Sequence, residues 1–458
     1  MSDMKKTATE WLHGESSRLT DLSLRIWQLA ELGLRESQSS AALAAELEAH
    51  GFRIEKSLAA MPTAFAATWG EGGPTIGLLA EFDALPGISN TPEPRRAPVV
   101  PGGPGHGCGH NLIGTGSVAA AIAAATALKE AGRPGTVKVF GTPAEETLVG
   151  KVFMTRAGVF RGLDACLTWH PQNETRVADE RCLALLSVKF AFHGRPCHIP
   201  SAPEAGRNAL DAVELMNIAA NLRRKHMPPG VTIEYVVTEG GEYPNVSPQL
   251  GRVWYFLRSP RMQDVEIAYE MLQAAANGAA TATGTTVQSR VVTSCYGYLP
   301  NTALSNLLYR NLEGAPPVFT REERSFAREL ARTVRPDEPP AETEVLAEGA
   351  QRLGEHIGPY SQDDGDQSWL CPLTTFNVAA WPRGVSAHTW QATASCGTTI
   401  ATKAMMAAAR TLALTALDLL TEPRALGAVQ EEFRGRTKGF TYRSLVPPDV
   451  TALASLDP

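Results

Sequence analysis

Apolar positions recur at helical spacing near the start of the chain. Leu19, Leu22, Ile26, Leu29 and Ala30 share a face, and a second run ends at His50-Gly51, where the glycine suits a C-cap, so residues 8–50 are expected to be helical. The run Thr75-Ile-Gly-Leu-Leu-Ala80 predicts a buried strand that stops at Glu81-Phe-Asp83-Ala-Leu-Pro86, followed by a Pro- and Gly-rich loop over 87–107. An alanine-rich helix from Ala119 to Ala127 comes next. Further strands are expected at Thr136–Gly141, running into Thr142-Pro-Ala-Glu145-Glu146, and at Ala165–Trp169, running into His170-Pro171. This alternation argues for an α/β fold, a mostly parallel sheet with helices on both faces.

The period changes near residue 183. Leu186, Val188, Phe190 and Phe192 alternate with Ser187, Lys189 and Ala191, as in a half-buried strand. A helix over about 206–225, strands near 231–238 and 251–258, a helix over about 262–279 and a strand near 286–293 complete a βαββαβ order, the ferredoxin-like arrangement. Such a unit closes on itself, so residues 183–297 are expected to form an inserted lid or dimerisation domain. Residues 1–182 and 298–458 would form the catalytic domain. In its second part, 312–345 reads as helix and exposed loop, Ser361–Asp366 as a polar turn, and Thr374–Ala380 as a strand. A loop carrying His388 then leads to a long helix over 397–420.

The length, 458 residues, fits two domains. A net charge of −6 offers no electrostatic footing for nucleic acid. The apolar run Ile400–Leu420 carries Lys403, Arg410 and Asp418, so it reads as a buried helix and no membrane association is expected. The first residues show no apolar signal core, and the seven cysteines have no framework of close spacings. That combination points to a reducing cytoplasm, where a special cysteine serves metal or catalysis rather than a disulfide.

Chemistry concentrates on one edge of the expected sheet. Cys108 and His110 are separated by one glycine and flanked by others, which lets the backbone aim both at one point; a glycine-rich turn with an incidental thiol is the alternative on this stretch alone. Asp83, Glu145, Glu146 and His170 all fall just past strand ends, the edge where open α/β sheets bind ligands. His388 lies in a loop between Trp381-Pro382 and Trp390. A two-metal hydrolytic centre needs several converging ligands and one free base, and Cys108, His110, Glu146, His170 and His388 are the candidates. Neighbouring glutamates leaving a strand point different ways, so one of Glu145 and Glu146 can bind metal while the other faces substrate.

The motifs His-Gly-Cys108-Gly-His110-Asn, Gly-Thr-Pro-Ala-Glu145-Glu146 and His170-Pro, in this order, resemble the aminoacylase and carboxypeptidase G superfamily of metal-dependent amidohydrolases. Within it they resemble the branch of auxin-conjugate hydrolases and aminobenzoyl-glutamate utilisation proteins. Phe192-His-Gly-Arg-Pro-Cys-His198, Gly206–Ala212, Pro244-Asn245-Val246, Ser361-x-Asp-x-Gly-Asp366 and Ser386-Ala-His388-Thr-Trp390-Gln agree. Pro-Asn-Val with His-Thr-Trp-Gln favours the aminobenzoyl-glutamate B-type subgroup. The resemblance spans roughly residues 20–415.

The resemblance implies two divalent metal ions per subunit, manganese by subgroup, while thiolate and imidazole suit zinc by softness. Cys108 would bridge them, in a place filled by aspartate in other branches, with His110, Glu146, His170 and His388 completing the set. Glu145 would be the general base and His198 the oxyanion donor reaching a partner subunit. Asn245 and Arg258 would hold substrate, and Asp83 would orient a ligand histidine. Glu81 stands where many branches have a ligand histidine in His-x-Asp, which leaves its role open. The implied activity is hydrolysis of an N-acyl, aryl-acyl amino acid such as aminobenzoyl-glutamate by a homodimer joined through the inserted domain. Indole-acetyl amino acids, other aromatic amides or dipeptides are the alternative substrates, and a metal-free binding protein is the alternative from another class.

Overall fold

The computed structural model describes residues 2–338 and 340–456. It divides into two compact units. The first holds the residues up to Glu180 with Leu299–His356 and Gln367–Thr441. Its main sheet has six strands in the order Arg53–Lys56, Phe65–Glu71, Gly135–Thr142, Thr75–Glu81, Ala165–Leu167, Leu373–Thr374. The last four run parallel, and the first two add an antiparallel edge. The expected α/β sheet is therefore present, extended by a hairpin that the apolar pattern did not announce.

Helix His110–Glu130 lies at the heart of this unit and is buried along almost its whole length. Small residues allow this close fit: at Gly114 a Cβ would lie 2.6 Å from the Glu81 carbonyl oxygen. The helix packs against Thr399–Thr421, and both are long and apolar enough to cross a membrane. Their burial against one another and the sheet accounts for that apolarity. Ser23, on helix Ser16–Leu29, fastens the N-terminal helices to the start of the core helix, since the Asn111 amide donates to Ser23 Oγ at 3.0 Å.

The strand expected at Ala165–Trp169 breaks before its end. Ala165–Leu167 pairs with Leu373–Thr374 in the main sheet, whereas His170–Gln172 pairs in parallel with Asn377–Ala379 in a separate four-stranded sheet. Both chain segments change sheet at the same level, and that places His170 at the seam.

The second unit comprises Arg181–Tyr298 with Ile357–Asp366 and the segment from Tyr442 onward. Its four strands stand in the order Thr286–Cys295, Ala184–His193, Leu250–Ser259, Thr232–Glu239, all antiparallel, with helices Ala209–Arg223 and Met262–Thr283 packed on each other and the sheet. This is the βαββαβ order read from the sequence. Residues along Leu250–Ser259 alternate between buried and half-buried, as a sheet with one covered face requires. Two segments assigned above to the catalytic region pack with this unit instead. Asp366 explains the attachment: its carboxylate accepts from Tyr296 N at 2.7 Å and from Tyr442 Oη at 2.5 Å.

Candidate metal centre

Four pieces of chain in the first unit converge. The first is the Cys108-Gly109-His110 turn, in which Gly109 has a φ of 75° and directly precedes the core helix. A Cβ there would sit 2.5 Å from Pro171 Cγ and 3.2 Å from Cys396 Sγ, so only glycine fits between the two candidate ligands. The second is a short 3₁₀ turn, Glu145–Thr147, flanked by Ala144 and Leu148 in left-handed backbone at φ 55° and 56°. The third is the seam at His170. The fourth is His388, itself left-handed at φ 63°, whose N–H donates to Gly107 O at 2.9 Å and so ties its loop to the cysteine turn. Non-glycine residues held this way mark places where the surroundings dictate the backbone.

The candidate donors come together as expected. One donor atom each from Cys108, His110 and His170 lies within 4.8 Å of the others, as does one each from Cys108, Glu146 and His388. Cys108 belongs to both groups, the arrangement a bridging thiolate needs. His388 Nε2 is 3.3 Å from Glu146 Oε2. The two glutamates do not diverge as fully as the sequence suggested: Glu145 Oε2 and Glu146 Oε1 lie 3.7 and 3.8 Å from His110 Nε2. Glu146 also reaches His388. Asp83 organises the turn from behind, with Oδ1 2.8 Å from His110 Nδ1 and Oδ2 accepting the Glu146 N–H at 3.0 Å.

Two buried carboxylates at the centre had no role assigned from the sequence. Glu81 closes its strand with Oε2 3.4 Å from His110 Nε2 and 3.3 Å from His170 Nε2, and its Oε1 pairs with Lys151 Nζ at 2.7 Å. Glu36 accepts the Ala144 N–H at 2.9 Å and the Thr63 hydroxyl at 2.9 Å, which braces the glutamate turn. The one available signal was Lys151 itself, a lone cation inside the apolar run Gly-Lys151-Val-Phe-Met.

Electrostatics fit a site built for cations. Burial opposes ionisation of Glu81, but Lys151 and His170 outweigh it and hold the carboxyl well below its usual range. Burial likewise lowers His110, yet Cys108 and Asp83 outweigh it and hold the imidazole well above its ordinary value. Burial raises Glu146 to about 7 against the pull of His110. Cys108 retains some exposure, and burial still pushes its thiol up to about 12. A thiol so placed ionises readily only when a cation takes up the charge. Among the described residues, Glu81 Oε2, His110 Nε2 and Glu146 Oε1 are buried polar atoms without a hydrogen-bond partner. Such atoms cost free energy unless something satisfies them, and a cation between them would. The donor set therefore fits divalent metal.

The other expected residues lie in the second unit. His198 and Asn245 are exposed on adjoining loops: His198 bridges Val246, and the Ile199 N–H donates to Asn245 O at 3.0 Å. The His198 Nδ1 is 2.6 Å from Ser201 Oγ. Arg258 is engaged within its own sheet, paired with Glu234 and stacked 5.1 Å from the Phe256 ring centre.

Comparison with known proteins agrees with this geometry. Residues 77–362 match the profile of peptidase family M20/M25/M40. The chain is 35% identical over 476 residues to one of the subunits of the p-aminobenzoyl-glutamate hydrolase of Escherichia coli K12, covering 98% of this chain and 99% of that one. It is 29% identical over 446 residues to the Xaa-Arg dipeptidase of Mus musculus, covering 94% and 92%. A solved dinuclear metal-binding peptidase of the M20 family from Bacillus subtilis shares the fold, with a TM-score of 0.58, 18% identity, and coverage of 89% and 99%.

Proposed function

Since the chain belongs to peptidase family M20/M25/M40, and is thus a hydrolase of amide bonds, we propose that it cleaves N-acyl amino acids carrying an aryl acyl group at a dinuclear metal centre. The observation that carries the metal reading is the sharing of Cys108 between two donor groups, His110 with His170 and Glu146 with His388. The substrate reading is supported by the relative named for p-aminobenzoyl-glutamate, matched over nearly the whole of both chains.

Cys108, His110, Glu146, His170 and His388 would hold the two cations, manganese or zinc, whose chemistry is to polarise the scissile carbonyl and to make the attacking water more acidic. Glu145 is the proposed base: it takes the water proton at its carboxylate and returns it to the departing amine nitrogen. The contact of Glu146 with His388, at 3.3 Å, supports giving the ligand role to Glu146 and the base role to Glu145. Asp83 keeps His110 in the tautomer whose Nε2 is a lone-pair donor. For His198 and Asn245 we retain oxyanion stabilisation and substrate holding. For Arg258 we retain contact with a substrate carboxylate, which requires its pair with Glu234 to open.

We also infer a homodimer joined through the second unit. Support comes from the edge strand Thr232–Glu239, which exposes Tyr235, Val236 and Val237 beside an unpaired backbone edge. The relative named as a subunit makes a second type of chain the competing arrangement, and sedimentation of the purified protein separates the two. A cytoplasmic location suits seven cysteines that lie far apart along the chain without a framework of close spacings.

Dipeptides form the second substrate reading, favoured by the likeness to the Xaa-Arg dipeptidase. Initial rates on p-aminobenzoyl-glutamate, an indole-acetyl amino acid and an Xaa-Arg dipeptide, with manganese- or zinc-loaded enzyme, decide between them. We expect the fastest, chelator-sensitive turnover on the aryl-acyl substrate; turnover confined to the dipeptide would replace this reading by the second.

A further inference from the structure

We propose that Glu81 is a further metal ligand, donating Oε2 to the same cation as His110 and His170, with Lys151 anchoring the other carboxylate oxygen. The inference rests on the metal-centre reading above. Three observations carry it. First, Glu81 Oε2 is buried, has no hydrogen-bond partner among the described residues, and faces the donor atoms of two candidate ligands. Second, the spacing is that of a coordination polyhedron. Donors bound to one four-coordinate cation at roughly 2.0–2.1 Å lie about 3.3–3.4 Å apart, and Glu81 Oε2 stands 3.3 Å from His170 Nε2 and 3.4 Å from His110 Nε2. A direct hydrogen bond to either nitrogen would be shorter.

Third, the partner of Glu81 makes a ligand role feasible. A carboxylate this deep is costly unless its charge is met. Lys151, itself fully buried, meets that charge at Oε1 and leaves Oε2 turned toward the imidazoles. The pair enters the centre without changing its net charge.

The test uses full-length protein stripped of metal and titrated with Zn²⁺ against a chromophoric chelator, with circular dichroism to confirm folding. The charge-balanced variant Glu81→Gln/Lys151→Met should bind one of the two equivalents at least about 10-fold more weakly and the other as in wild type. Glu81→His/Lys151→Met, which exchanges one donor for another, should recover most of that loss. A glutamine variant that binds both equivalents like wild type overturns the inference alone. A wild-type protein that binds no zinc overturns it together with the metal-centre reading. Should the variants fail to fold, zinc-loaded wild-type crystals decide: a Glu81 Oε2–Zn distance near about 2.2 Å supports the assignment, and one beyond about 3 Å overturns it.

Discussion

Asp83 grips His110 from the side away from the donor cluster. Its Oδ1 lies 2.8 Å from Nδ1, which turns Nε2 toward Glu81, Glu145 and Glu146. The same carboxylate receives the Glu146 N–H at 3.0 Å. One side chain therefore fixes the ring of one candidate ligand and the backbone of another. In Asp83→Asn an amide can still accept from His110, but its NH₂ then opposes the Glu146 N–H. Metal affinity is expected to fall by about 10- to 100-fold with the fold retained. Chelator competition followed by circular dichroism measures both, and an unchanged affinity would show that the grip does not matter.

Glu145 and Glu146 share a turn, and the proposed function gives them different tasks. If Glu145 is the base, Glu145→Gln removes the proton acceptor while keeping shape, and turnover should drop by about 10²- to 10⁴-fold. Metal content should stay at the wild-type level, because Cys108, Glu146 and the three histidines are untouched. Elemental analysis beside single-substrate rates makes the distinction. Loss of a metal equivalent in this variant would transfer Glu145 to the ligand set.

The candidate ligand turns were legible because their signal is local. Cys-Gly-His, Glu-Glu after a strand and His-Pro after another each announce metal-capable atoms beyond an apolar run, and the structure gathers all of them. The roles of Glu81, Lys151 and Glu36 were not legible. They depend on which residue a fold 70 or 108 positions away brings against them, and no periodicity encodes that. Strand Phe65–Glu71 escaped for a related reason. Its Phe-Ala-Ala-Thr-Trp-Gly-Glu sequence is weak in β-branched residues, and its seven-residue pairing with Gly135–Thr142 supplies what propensity does not. The alternating pattern of the second unit was plain, whereas its capture of Asp366 rests on two hydrogen bonds from tyrosine residues far along the chain.

The burial of Asp366 carries a pH dependence. Burial raises the Asp366 carboxyl to about 7, even though Tyr442 and the Tyr296 N–H pull it down. An acid raised on folding favours the protonated form. Its contribution to stability is complete below the ordinary carboxyl pKa near 3.8 and is lost as pH climbs through about 7. Asp366→Asn keeps an acceptor for Tyr296 and removes the titration. Melting temperatures between pH 5 and 8 should therefore show the variant gaining on wild type as pH rises; parallel curves would mean that Asp366 ionises without cost.

Gly109 and Gly51 provide a matched pair for separating backbone strain from site packing. Both have positive φ, 75° and 84°, which any L side chain resists. At Gly51 an added Cβ meets nothing within 4 Å, whereas at Gly109 it meets Pro171 Cγ at 2.5 Å, beside His170. Gly51→Ala should cost about 1–2 kcal/mol of stability through the backbone alone and leave metal binding as it was. Gly109→Ala should cost more, about 3 kcal/mol or above, since strain and overpacking combine. It should also weaken metal binding, because relieving the clash displaces Cys108 and His110 on one side or Pro171, next to His170, on the other. Denaturant titration and zinc affinity of both variants provide the check. If Gly109→Ala bound zinc like wild type, the glycine would be serving the turn and not the centre.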